Sequence, residues 1–122
     1  MSSDLMHTDW ASLVEILTDI TDQRVGLTDG CERVVRFRSL LGQMDNELFL
    51  PFVGVDSDLH VFPTGPSREH WSAEALARED AKRIGVEDHY RPMVLIAAHK
   101  LLSFAQQRLL TIGSSDRGAR LR

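Results

Sequence analysis

The sequence predicts a mostly helical α+β domain, and three observations lead to that fold class. Four segments space their apolar residues by three and four, as one face of an α-helix requires: 9–23, 29–42, 72–84 and 91–112. One stretch, 48–62, is instead rich in aromatic and β-branched residues. The chain has 122 residues, 43% of them apolar, which suffices for one core without disulfides. We therefore predict a single compact domain over 1–112 and a flexible basic tail over 113–122.

The first two helices are predicted from an apolar stripe and from turn residues. Trp10, Leu13 and Leu17 recur at helical spacing in the first segment. In the second segment, Asp29 followed by a glutamate three residues later resembles a capping box. Gly42 is a suitable residue to end that helix.

The last two helices are predicted as separate elements. Ser72 can cap the third helix, whose interior consists of strong helix formers, and Gly85 is expected to end it. The fourth helix starts next to Pro92, a residue that fits a first helical turn. Its apolar face is the widest of the four, which predicts a central helix that contacts several neighbours.

The stretch 48–62 predicts a short β-hairpin or an extended segment. Two β-type runs, 48–55 and 59–62, flank the polar sequence Asp-Ser-Asp, which favours a turn. Pro51 cannot donate a hydrogen bond to a ladder, so the first run would be an edge or bulged strand. The alternative is an all-α domain in which this stretch is an irregular apolar loop.

Composition and charge exclude several classes of function. The net charge is −4, whereas a nucleic-acid-binding protein is expected to be basic over its working surface. The longest apolar run, 93–98, is far shorter than the roughly 20 residues that a bilayer span needs. The single cysteine, Cys31, cannot form an internal disulfide, and the first residues do not resemble a secretion signal. We therefore expect a cytoplasmic protein with neither a membrane nor a nucleic-acid partner.

The common catalytic, phosphate-binding and metal-binding motifs do not occur in the sequence, so we expect no cofactor and no enzymatic activity. The nearest approach to a chemical site is Asp56-x-Asp58-x-His60. Alternate residues of a strand share one face, so these three side chains could bind a divalent ion or exchange protons. Ordinary turn chemistry explains the same residues and is the interpretation that we favour.

Two further groups are candidates for contact with a partner protein. Glu15, Asp19 and Asp22 lie at helical spacing, and no lysine or arginine precedes Arg24, which predicts an uncompensated acidic face. A tryptophan beside charged residues at a corner is typical of binding hot spots. The full set of predicted partner-binding residues is Glu15, Asp19, Asp22, Asp56, Asp58, His60, Arg68 and Trp71.

Three classes of function are consistent with these observations. The one we favour is a non-enzymatic protein-binding module: a small acidic cytoplasmic inhibitor or immunity-type protein that is steered onto a basic partner. The second is a helical structural subunit that pairs with itself as a homodimer or with another chain. The third is a small enzyme or ligand binder that uses Asp56, Asp58 and His60.

Overall fold

Four α-helices form the fold in the computed structural model, which describes residues 2–121 and, among side chains, those of 7–112. They are α1 (Ser2–Thr21), α2 (Leu27–Leu40), α3 (Leu50–Leu59) and α4 (Ala73–Leu121). Two short 3-10 helices, Glu47–Phe49 and Gly65–His70, precede α3 and α4. Since no strand occurs among residues 2–121, the α+β class is wrong and the all-α alternative is correct.

The core lies between α1, α2, α3 and the middle of α4. α1 packs along α4, α2 packs against both α1 and α3, and α3 also contacts α4. The ring of Trp10 is fully buried, lies 5.8 Å from the ring of Phe104 and carries the Arg108 guanidinium at 5.8 Å. The other large, fully buried side chains are Leu13, Leu17, Cys31, Val34, Phe49, Phe52, Val55, Leu59, Val94 and Leu101.

The α2 helix ends next to Gly42, as the sequence predicts. This glycine has φ +64°, the left-handed conformation that glycine adopts without steric cost. The Gln43 N–H donates to the Arg38 carbonyl at 2.8 Å, and the Gly42 N–H donates to the Ser39 carbonyl at 3.1 Å. These two bonds satisfy the last carbonyls of the helix in a Schellman motif.

The predicted hairpin at 48–62 is wrong, because most of this stretch is α3. Phe52, Val55 and Leu59 are buried at spacings of three and four, which only a helix places on one side. Pro51 lies in the first turn of α3, where its missing N–H needs no partner. Asn46 caps the preceding 3-10 helix by accepting from the Leu48 N–H at 3.0 Å.

The segments predicted as two helices, 72–84 and 91–112, form one continuous helix, α4. Ser72 caps its start as predicted, since its hydroxyl accepts from the Ala75 N–H at 3.1 Å. Gly85 and Pro92 lie in the helix interior and do not end it. Their intrinsic costs are about 1 and 3 kcal/mol relative to alanine. Buried residues lie on both sides of Pro92, Glu87 before it and Val94 after it, whereas the part of α4 before Gly85 is held by the ion pair of Asp80 with Arg68.

Two further expectations concern the end of the chain and the possibility of a membrane span. The predicted flexible tail, 113–122, falls outside the residues whose side chains are described and stays a prediction. Within the described part, none of the helices combines the length and the apolar character that crossing a bilayer would require.

Candidate functional site

A polar cavity of about 450 Å³ lies where the start of α2 meets the α3–α4 connection and the first half of α4. This volume is in the range of small-ligand and side-chain pockets. The charged and hydroxyl-bearing residues that line it are Thr28, Asp29, Glu32, Thr64, Arg68, Arg83 and Glu87. We refer to it below as the polar cavity.

Glu87 forms the floor of the polar cavity and joins α4 to α2. Its side chain is buried, with 6% of the residue exposed. One carboxylate oxygen accepts from the Thr28 N–H at 3.1 Å and from the Thr28 hydroxyl at 2.7 Å, and the other accepts from Arg83 at 3.1 Å. The α2 N-cap, Gly26, has no side chain to cap the helix, so Glu87 performs that role from a distant part of the sequence.

Arg68 forms the opposite wall and clamps the α3–α4 connection onto α4. It donates two parallel hydrogen bonds to the Asp80 carboxylate, at 2.9 and 2.8 Å, and a third to the Pro63 carbonyl at 3.2 Å. The bond from Arg68 lowers the pKa of Asp80, and the same bond raises the pKa of Arg68. Arg68, a predicted partner contact, is thus held in one orientation.

On the α2 side, the polar cavity is lined by two acids, Asp29 and Glu32. Glu32 forms an ion pair with Arg36 at 2.6 Å, yet its negative charge still repels that of Asp56 on α3. Partial burial raises the pKa of Asp56, and the charge of Glu32 raises it further, while His60 and Arg36 oppose the shift. The fold therefore brings two predicted residues, Asp56 and His60, close enough to interact.

Asp58 does not join them, so the convergence of Asp56, Asp58 and His60 that a strand would allow does not occur. The turn that we favoured for these residues is also wrong, because 56–58 lie inside α3, where Asp56 and Asp58 are about 160° apart around the helix. The Tyr90 hydroxyl of α4 donates to the Asp58 carboxylate, which raises the pKa of Tyr90. Among residues with described side chains, no three histidine, cysteine or acidic groups are placed to hold a metal ion.

The acidic face predicted on α1 is compensated, contrary to the sequence-based expectation. Arg24 contacts Asp19 at 3.1 Å and Asp22 at 3.3 Å. The chain folds back immediately after α1, where Gln23 has φ +56° and the Arg24 N–H donates to the Asp19 carbonyl at 2.8 Å. This reversal places the guanidinium against the two acids that precede it.

Glu15, the third member of that face, lines a separate cavity of about 490 Å³ between α1 and α2. Arg33 and Arg36 of α2 line the same cavity, so cations face the acids there. Position along the chain could not show this, because the compensating residues belong to another helix. The α1 face is therefore a mixed surface and a weaker candidate for electrostatic steering.

Trp71, the last predicted residue, ends the 3-10 helix that carries Arg68. The residue is 42% exposed, and its backbone N–H donates to the Arg68 carbonyl at 3.1 Å. The aromatic side chain is exposed and follows a 3-10 helix that Arg68 fixes to α4, so it is available for contact with another molecule.

Sequence reasoning missed the residues that build the cavity floor, namely Thr28, Arg83 and Glu87. The four-residue spacing of Arg83 and Glu87 was a usable signal, because such pairs meet on a helix. The sequence held no signal for Thr28, which lies 59 residues from its carboxylate partner.

Cys31 is fully buried in α2, which gives a prediction about its reactivity. Burial, followed by the nearby charges of Asp56 and Glu87, raises the pKa of the thiol to about 12. Only the thiolate is nucleophilic. We expect a disulfide reagent such as DTNB to modify Cys31 slowly in buffer and rapidly in denaturant. Rapid modification of the folded protein, with its circular dichroism unchanged, would contradict this account.

Comparison with known proteins yields no relationship: no family model, no curated protein and no solved structure matches the chain. The functional argument therefore depends on the geometry of the site.

Proposed function

We propose that this protein is a non-enzymatic module that binds the basic surface of a partner protein, in the manner of an inhibitor or immunity-type protein. The observation that carries the proposal is the electrostatic coupling between Glu32, which lines the polar cavity, and Asp56 of α3. Partial burial, and after it the charge of Glu32, raises the pKa of Asp56, so its negative charge is disfavoured there. A lysine or arginine of a partner near these two acids would offset the part of the shift that comes from Glu32.

The rigidity of the neighbouring groups supports the same proposal. Arg68 is held by Asp80 and Pro63, and Arg83 is held by Glu87, so these side chains lose little further freedom when a partner binds. Trp71 adds an exposed aromatic ring next to the clamped turn. Fixed charges with an aromatic anchor are typical of the centres of protein interfaces.

The arrangement favours binding over catalysis for specific reasons. A nucleophile at Cys31 would have to act from a buried position with a pKa of about 12. Asp58, needed for the acid–base or metal hypothesis, is bonded to Tyr90 on another face. The proposed partner surface therefore consists of Glu32, Asp56, His60, Arg68 and Trp71, and the α1 residues Glu15, Asp19 and Asp22 lie outside it.

The test begins with capture of the partner from the native host and its identification by mass spectrometry. Surface plasmon resonance then compares the wild type with the double change Glu32→Gln and Asp56→Asn. We expect association to weaken by about tenfold or more and to lose much of its salt dependence. Both substituted side chains keep their shape, and removal of the repulsion should leave the melting temperature unchanged or raised.

A charge neutralisation on α1 provides the matched control. The double change Asp19→Asn and Asp22→Asn removes two negative charges, as the test variant does, from residues that do not line the polar cavity. We expect it to change the affinity for the captured partner less than Glu32→Gln with Asp56→Asn does. A larger effect of the α1 variant, or association that is independent of salt in the wild type, would overturn the proposal.

A further inference from the structure

A shallow groove of about 310 Å³ separates the first 3-10 helix and the start of α3 from the middle of α4. Its walls are largely apolar, and two of the apolar lining residues are exposed: Met93 at 42% and Ile96 at 60%. Leu48, Pro51 and Ala97 complete the apolar lining. None of these residues lines the polar cavity, so this groove is a second, separate surface.

The groove also contains one acid and one base, Glu47 and Lys100. Neither forms an ion pair within the described part of the chain, although most of the arginines there do. The two charges line the same groove without contacting each other. They are therefore both available to a molecule that covers it.

We infer that this groove is the interface of a homodimer, covered by the same groove of a second copy. In a twofold interface each patch faces itself, so Glu47 of one copy would meet Lys100 of the other, and the reverse. Met93, Ile96 and Lys100 follow each other at spacings of three and four, so they form one stripe along α4. Two such stripes packed antiparallel would cross near Ile96.

Charge is the reason to choose a second copy as the occupant. Each chain has a net charge of −4, so long-range repulsion opposes self-association and the local contacts have to outweigh it. This groove is neutral, since it holds one acid and one base around an apolar centre. It therefore complements itself and needs no charge from another type of partner. The inference is independent of the proposed function, which uses other residues.

Sedimentation equilibrium on the full chain tests the inference, with Ile96→Glu as the disrupting variant. We expect a dimer for the wild type and a monomer for Ile96→Glu, because the substitution buries two carboxylates against each other. Leu110→Glu is the matched control: it lies on the same helix, is 65% exposed and is outside the groove, so it should remain dimeric. A monomeric wild type into the millimolar range, or equal disruption by Leu110→Glu, would overturn the inference.

A charge exchange tests the pairing itself. Glu47→Lys and Lys100→Glu, made singly, each place like charges opposite one another, and we expect each to weaken dimerisation by about tenfold or more. The double variant restores opposite charges and should dimerise as the wild type does. Failure of the double variant to recover, with all variants folded by circular dichroism, would refute the proposed register.

Discussion

Replacement of Glu87 by alanine is expected to lower the free energy of unfolding by about 3 kcal/mol. The change removes the acceptor of two Thr28 donors and the partner of Arg83, in a site where Glu87 is only 6% exposed. The first turn of α2 would lose its cap, and the Thr28 N–H would be left without a partner. Urea unfolding followed by circular dichroism measures the loss.

Glu74→Ala is the matched control for this measurement. Glu74 lies on the same helix and also pairs with an arginine four residues later, Arg78 at 3.6 Å, but its side chain is 87% exposed. Exposed pairs of this kind contribute only about 0.3–0.5 kcal/mol. Similar losses for the two variants would show that Glu87 contributes no more than an exposed ion pair and does not join α4 to α2.

Thr28→Val adds a second test of the same contact. It removes the hydroxyl donor and keeps the side-chain shape, so it should cost about 1 kcal/mol in the wild type. In the Glu87→Ala background the hydroxyl has already lost its acceptor, and the same change should cost much less. Additive losses would mean that Thr28 and Glu87 do not interact.

Phe52→Ala is expected to lower the free energy of unfolding by about 4 kcal/mol, because it creates a large cavity in a fully buried part of the core. Leu50→Ala is the control, since Leu50 is 50% exposed and should cost less than about 1 kcal/mol. A helix places these two residues on different sides, whereas a strand would place them on the same face. Comparable losses for both variants would therefore favour the hairpin over α3.

The α3 segment shows why composition misled and what signal was present. Aromatic and β-branched residues favour strands only weakly, since the preference depends on how they pack. The buried residues Phe49, Phe52, Val55 and Leu59 recur at spacings of three and four, and this periodicity was readable in the sequence. Pro51 was equally ambiguous, because it fits an edge strand and a first helical turn alike.

The α4 segment shows the limit of local signals. Gly85 and Pro92 are the two strongest helix-ending residues in the region, yet the helix continues through both. Glu87 lies between them, and its bonds to Arg83 and to Thr28 need a helical backbone there. The contacts around this part of α4 come from Thr28 of α2 and Asp58 of α3, and α4 packs mainly along α1. No window of sequence around 85–92 contains these partners.

The sequence by itself determined the buried face of a helix and the residues at helix ends, because both depend on helical spacing and on neighbouring residues. Trp10, Leu13 and Leu17 form the buried face of α1, Gly42 follows the end of α2, and Ser72 caps α4, all as predicted. Each of these features is decided within a few residues, by helical spacing or by a hydrogen bond to the adjacent turn.

Only the tertiary structure decided which polar groups meet. It placed Glu15 in one cavity with Arg33 and Arg36, brought Asp56 within reach of the charge of Glu32, and built the floor of the polar cavity from residues far apart in the chain. Electrostatic and hydrogen-bond energies depend on distances of a few ångströms in space. The sequence does not specify those distances before the helices have packed. Most of the helices could therefore be predicted from the sequence, whereas the residues that form the site could not.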